Sequence, residues 1–188
     1  MSPHNMTAYF DLETTGDDAG AQITCAAITD GHARTRTWHS GGGAPMSANV
    51  GREVAEQLLQ ASKVVTFNGA AFDLRMLWEL TGVDGLRTLA LEHHDLMLDF
   101  VAYERYYASM QSFATATLGE GKSASGAWAA TAWFEGGHEE VLSYCARDTQ
   151  VLRMLAERAE RDGQLLRVTK RGNVSVWHVP GGARTVRS

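Results

Sequence analysis

The chain has 188 residues, 44% of them hydrophobic and 21% charged, with a formal net charge of −5. That composition is ordinary for one globular domain large enough to bury its own core, and it excludes a low-complexity or fibrous chain. Two cysteines are too few for a zinc cage, no apolar run approaches the roughly 18 residues that cross a bilayer, and the acidic balance argues against a nonspecific nucleic-acid glue.

The charge is unevenly spread. Residues 1–152 carry nine Lys/Arg against nineteen Asp/Glu, whereas residues 153–188 carry eight against three. An acidic body with a basic tail suits an enzyme that needs carboxylates for metals and cations for phosphates, and it is equally what chance produces. Cys25 and Cys145 both sit in apolar patterns, too far apart in sequence to suggest a local clip. No basic segment followed by an apolar run opens the chain, so no signal peptide and no membrane attachment are expected, and a reduced cytoplasmic setting is the expectation.

Residues 7–12 are a short apolar run closing in acid, the pattern of a buried first strand, and residues 16–20 are a polar turn. Segments 22–29 (QITCAAIT) and 34–39 alternate about a turn at Asp30-Gly31, so the chain opens as an antiparallel three-strand meander. A loop over 41–45 leads to Ser47 or Asn49 as a helix cap, and Val54, Leu58, Leu59 and Ala61 space out an amphipathic helix. Residues 63–67 form a β-branched strand, which after that helix implies a crossover and a parallel neighbour. Asn68-Gly69 turns into a helix over 71–80. From Gly85 nearly to Gly163 the sequence reads as helical, with breaks near Ser109, at 119–126 and at Gly136-Gly137. Segments 165–168 and 174–179 then flank Lys170-Arg171-Gly172-Asn173, a hairpin signature. There is no internal repeat and no dividing linker. The prediction is one α/β domain over 1–163, with a basic C-terminal β-hairpin over 164–188 packed on it.

The acids carry the chemistry. Asp11 and Glu13, in FDLETTG, stand at i and i+2 on a strand and so share a face. Two such acids repel unless a cation lies between them, and magnesium takes hard oxygen ligands of this kind; the bland alternative is a solvated strand end. Asp73, in NGAAFD, falls in the first turn of a helix that follows a strand, where it is either a metal ligand or an acid placed by the helix dipole. Tyr144 and Asp148, in SYCARDTQVL, stand at i and i+4 on a helix whose apolar stripe is Val141, Leu142, Cys145, Leu152 and Leu155. Each pair alone is commonplace; their order along one chain is not.

FDLETTG, NGAAFD and YCARD together resemble, in that order, the three motifs of the DEDD superfamily of 3′–5′ exonucleases. The resemblance is to the tyrosine-bearing subtype, because the place five positions before Asp148, where the histidine-bearing subtype has His, is Ser143. The NGxxFD form of the second motif is similar to the proofreading domains of family B polymerases. The match runs from Tyr9 to about Leu155. It implies a ribonuclease H-like mixed five-stranded sheet with helices on both faces. It also implies two Mg²⁺ (or Mn²⁺) ions about 4 Å apart bracketing the scissile phosphate. In that scheme Asp11 bridges both ions, Glu13 and Asp148 complete the first site, Asp73 holds the second, and Tyr144 orients the attacking water. Leu12 and Thr14 contact the terminal base and the 3′-hydroxyl, with Asn68 and Phe72 further substrate-binding candidates, Phe72 for base stacking unless it is a core aromatic.

The implied activity is stepwise release of nucleoside 5′-monophosphates from a free 3′ end. Single-stranded DNA is favoured over RNA, and the chain works alone or with a separate replication or repair partner. An exoribonuclease or oligonucleotide hydrolase is the alternative within the class. A catalytically idle nucleic-acid-binding module of the same fold is the alternative outside it.

Weaker signals remain. His93-His94-Asp95 with Asp99 one turn on reads as a solvated helix face, with Asp95 at most a residue behind the metal ligands. Lys170 and Arg171, with Arg167, Arg184, Arg187, Trp177 and His178, offer either a single-strand path or a hairpin that packs Trp177 inward and keeps its turn wet. Lys122 and Trp128 precede the third motif and are placed beside the substrate by sequence order alone.

Overall fold

The computed structural model of the protein describes residues 6–16, 19–120 and 126–179. The expected meander forms: β1 (Thr7–Thr14), β2 (Ile23–Asp30) and β3 (Thr35–His39) pair antiparallel in sequence order. Ser47, not Asn49, caps α1 (Ala48–Gln60), its Oγ accepting from the Val50 N–H at 3.4 Å. That helix buries Gly51, Val54, Ala55 and Leu58; Leu59 instead turns outward, 44% exposed, and Ala61 lies past the helix end. The stripe is therefore one position narrower than the spacing suggests. The chain then returns as β4 (Lys63–Thr66), parallel to β1, the crossover that a strand–helix–strand unit requires.

After α2 (Asp73–Thr81) and α3 (Gly85–Glu92) the chain does not continue as helix. The region read as continuous helix contains β5 (His94–Asp95), which pairs parallel with β4 and completes a five-stranded sheet of order β3-β2-β1-β4-β5. Two residues cannot display a period, and this strand exists only because β4 offers it an edge. The helices α4 (Leu96–Glu104), α5 (Met110–Leu118), α6 (Gly126–Phe134) and α7 (His138–Asp162) follow, then β6 (Gln164–Val168) and β7 (Val174–His178) as a separate antiparallel hairpin.

Side-chain alternation along β1 builds two cores. Ala8, Phe10 and Leu12 pack with Val54, Leu58, Leu74, Leu77 and Leu86 of α1, α2 and α3. Tyr9, on the other face, packs with Phe100, Phe113, Leu152 and Leu155 of α4, α5 and α7. Trp177 joins this second core: it is 1% exposed, and its ring lies 5.3 Å from Phe100 and 5.8 Å from Phe113. It is an anchor for the hairpin and offers no surface for a base. No helix among the described residues is long and apolar enough to cross a membrane.

Candidate active site

The central strand sets the first two acids. Asp11 and Glu13 project on the α7 side of the sheet with Tyr9, and their partners on β2 are the small residues Ala27 and Cys25. That small pair lets α7 come close. Its rotation is fixed by the buried stripe predicted for it and by Thr149, whose hydroxyl pairs with that of Thr29 at 2.7 Å. Cys145 sits at the contact, its thiol donating to the Asp11 carbonyl at 3.7 Å and hydrogen-bonded to Cys25. The two cysteines, distant in sequence, are thus neighbouring free thiols beneath the acids. Tyr144, the residue before Cys145, and Asp148, nearly one turn after it, face the acids, and the phenol donates to the Asp148 carboxylate. The Trp128 ring meets Tyr144 edge-on at 5.6 Å.

Asp73 arrives from the opposite direction. Pairing between β1 and β4 ends at Tyr9 with Val65, three residues before Leu12. There the Leu12 N–H donates to Asp73 Oδ1 at 3.1 Å, so the first residue of α2 takes over the ladder where β4 stops. The result is a cavity of about 520 Å³ lined by Asp11, Leu12, Glu13, Thr14, Asn68, Phe72, Asp73 and Asp148. Residues without a sequence signal complete it: Gly16, Phe67, and Gly126, Ala127 and Ala130 of α6. Lys170 and Arg171 stand exposed in the hairpin turn and are not among its lining residues; Lys122, Arg184 and Arg187 lie outside the described residues. A larger hollow of about 620 Å³ between α2 and α3 contains none of the four acids.

The electrostatics are those of a cation site. Burial first, then Asp73, Glu13 and Asp148, hold the Asp11 carboxyl well above the carboxylate range; burial and then Asp148 do the same to Glu13. Burial pushes Asp73 up to about 7 despite the amides of its own residue and Leu12, and pushes Asp148 up to about 6 despite the Tyr144 hydrogen bond. Among the described residues no lysine or arginine forms an ion pair with any of the four. Clustered carboxylate oxygens that no ion pair neutralises fit hard divalent cations, and the ligand atoms of Asp11, Glu13 and Cys145 lie within 4.8 Å of one another.

A pH dependence follows. These carboxyls hold protons more tightly in the fold than in the unfolded chain, whose Asp and Glu titrate near pH 4. Their contribution is therefore most favourable below about pH 4 and is lost as pH rises through their folded values near 6 and 7. Asp95, held down to about 2 by its hydrogen bonds, acts oppositely and only at lower pH. The melting temperature of metal-free protein should fall between pH 4 and pH 7, and Mg²⁺ or Mn²⁺ at pH 7 should restore it. A flat scanning-calorimetry profile across that interval would contradict the arrangement.

The RNase_H_2 family model, described as the RNase H superfamily, matches residues 8–160. The chain belongs to the RNase H superfamily. Among solved structures, this RNase H superfamily chain is similar to the family B DNA polymerase from the hyperthermophilic archaeon Pyrobaculum calidifontis. The TM-score is 0.62 with 16% identity over 82% of the chain and 24% of the polymerase. The chain thus spans about a quarter of that polymerase's length, and at such identity the likeness is one of fold. A comparison with curated proteins finds no match. RNase H-like nucleases typically use divalent cations, which the acidic cluster here could hold.

Proposed function

We propose that this RNase H superfamily chain is a metal-dependent 3′–5′ exonuclease of the tyrosine-bearing DEDD type, acting on single-stranded DNA. The observation that carries the reading is the convergence of Asp11, Glu13, Asp73 and Asp148 on one cavity, with the Tyr144 hydroxyl on Asp148. When bound there, a pair of divalent cations supplies Lewis acidity toward the scissile phosphate and neutralises charge on the leaving 3′-oxygen. Asp11, whose carboxyl feels all three other acids, would be the shared ligand, with Glu13 and Asp148 holding one cation and Asp73 the other.

Tyr144 acts as a donor. Burial, then Asp148 and Glu13, raise its phenol above the ordinary tyrosine range, so it keeps its proton at neutral pH and orients water by hydrogen bonding without acting as a base. Leu12, Thr14, Phe72 and Asn68 line the same cavity and form the seat of the terminal nucleotide. At about 520 Å³ the cavity falls in the roughly 300–1,000 Å³ range of pockets for small molecules, which suits one nucleotide unit at a chain end. The fold likeness to a DNA polymerase supports DNA over RNA.

The test uses 5′-labelled single-stranded DNA and RNA of one sequence with Mg²⁺ or Mn²⁺. The DNA should shorten one residue at a time, releasing nucleoside 5′-monophosphates, and a bulky 3′ block should slow the reaction strongly. Cutting of a sealed single-stranded circle at a comparable rate would make the enzyme an endonuclease. Faster cutting of the RNA would transfer the reading to an exoribonuclease.

A further inference from the structure

The turn that delivers Asp73 is held by groups outside the cavity. The chain reverses between β4 and α2 with Asn68 at φ 71°, a left-handed backbone that few non-glycine residues adopt unless the surroundings impose it. Three successive amides of this turn are each taken by a side chain. The Asn68 N–H donates to Asp95 Oδ1 at 2.8 Å, the Gly69 N–H to Thr66 Oγ1 at 3.2 Å and the Ala70 N–H to Asp95 Oδ2 at 3.1 Å. Asp95 also caps α4, its Oδ1 accepting from the Met97 and Leu98 N–H groups at 3.0 and 3.2 Å. A carboxylate only 4% exposed thus gathers four main-chain donors, and the solvated-face reading of this segment is corrected.

Thr66 is oriented in turn by His93, whose side chain is 1% exposed. Its Nδ1 lies 3.0 Å from the Leu89 carbonyl and must carry hydrogen there. Its Nε2 lies 2.8 Å from Thr66 Oγ1 and 3.7 Å from Asp95 Oδ2, so the ring ties together the two side chains that accept the turn's amides. The approach is close: a Cβ on Gly69 would lie 2.5 Å from the Thr66 side chain. Downstream, the Phe72 N–H bonds the Asn68 carbonyl at 3.2 Å and the Leu74 N–H bonds the Gly69 carbonyl at 2.8 Å. Where residues 68–70 sit therefore determines where Asp73 sits.

We propose that Asp95, Thr66 and His93 form a positioning set for the nuclease reaction, locking residues 68–70 so that the Asp73 carboxylate reaches the Leu12 N–H and faces Asp11. None of the three lines the cavity. The role rests on the nuclease reading above, and it sets cation affinity and turnover without substrate contact. Supporting groups of this kind typically change metal affinity or activity by about 10–100-fold when altered.

Asp95→Asn keeps the side chain's size but places an NH₂ group against one of the turn's N–H donors. It should lower kcat by about 10–100-fold and raise the Mg²⁺ concentration for half-maximal rate about tenfold. Thr66→Ala, which strands the Gly69 N–H, should shift both quantities the same way, and Thr66→Ser, which keeps the hydroxyl, should restore them. If Asp95→Asn does not fold, the Thr66 pair decides. Wild-type kcat and Mg²⁺ requirement in folded Asp95→Asn or in Thr66→Ala, with only the melting temperature lowered, would reduce the network to a stabilising one and overturn the proposal. An inactive wild type with both DNA and RNA would instead fell the nuclease reading, and the positioning role with it.

Discussion

Asp11→Ala and Asp148→Ala should each lower kcat by at least about 10³-fold, because a cation's stabilisation of phosphoryl charge is worth several kcal/mol and each roughly 1.4 kcal/mol is tenfold in rate. Asp11 is the larger expectation, since it feels all three other acids and is the ligand proposed to be shared by both cations. The fold should survive. Asp11 is held above the carboxylate range by burial and by its neighbours, so its removal relieves repulsion, and metal-free Asp11→Ala should melt higher than metal-free wild type at pH 7. The same substitution should abolish the rise in melting temperature that Mg²⁺ or Mn²⁺ produces. Substantial turnover by both variants, in preparations free of wild-type enzyme, would sink the metal-site assignment. A wild type that binds single-stranded DNA without cutting it under any divalent cation would point to the idle binding module.

Tyr144→Phe separates a water-orienting role from simple packing. The ring lies edge-on against Trp128 at 5.6 Å, and phenylalanine preserves that contact. What disappears is one hydroxyl, the donor to Asp148. The chemical rate should drop by roughly 10²-fold, the low end of the 10²–10⁴ range for proton-handling groups, because bound cations already activate the water. Substrate affinity should stay near wild type, since the proposed nucleotide contacts, Leu12, Thr14, Asn68 and Phe72, line the cavity independently of this hydroxyl. The measurement is single-turnover cleavage at saturating Mg²⁺, with DNA binding measured separately in Ca²⁺. A wild-type rate would remove Tyr144 from the mechanism; weakened binding with an unchanged chemical step would make it a substrate contact.

Both results depend on residues whose local relations could be read directly. The i, i+2 relation of Asp11 and Glu13 and the i, i+4 relation of Tyr144 and Asp148 follow from the strand and helix repeats, which neighbouring residues set. The crossover into β4, the buried stripe of α7 and the turn of the C-terminal hairpin were legible for the same reason: each shows a period or a turn signature over several residues.

What required the tertiary structure is everything that depends on which elements become neighbours. β5 is two residues long and owes its strand character to the edge of β4. Asp95 sits in a stretch that reads as helix surface, yet it is buried because residues 68–70 bring it three unpartnered amides' worth of demand, two of which it meets itself. Cys25 and Cys145 meet because small residues on β2 admit α7, and α6 lines the cavity with glycine and alanine, which announce no chemistry. The basic hairpin turn shows the converse: charge composition suggested a nucleic-acid path, but burial of Trp177 fixes the hairpin on the second core while Lys170 and Arg171 stay apart from the cavity. Local chemistry thus determined which groups share a face of one strand or one helix. Only packing between elements distant in sequence, driven by the two cores that flank the central strand, decided that four acids converge and what holds them there.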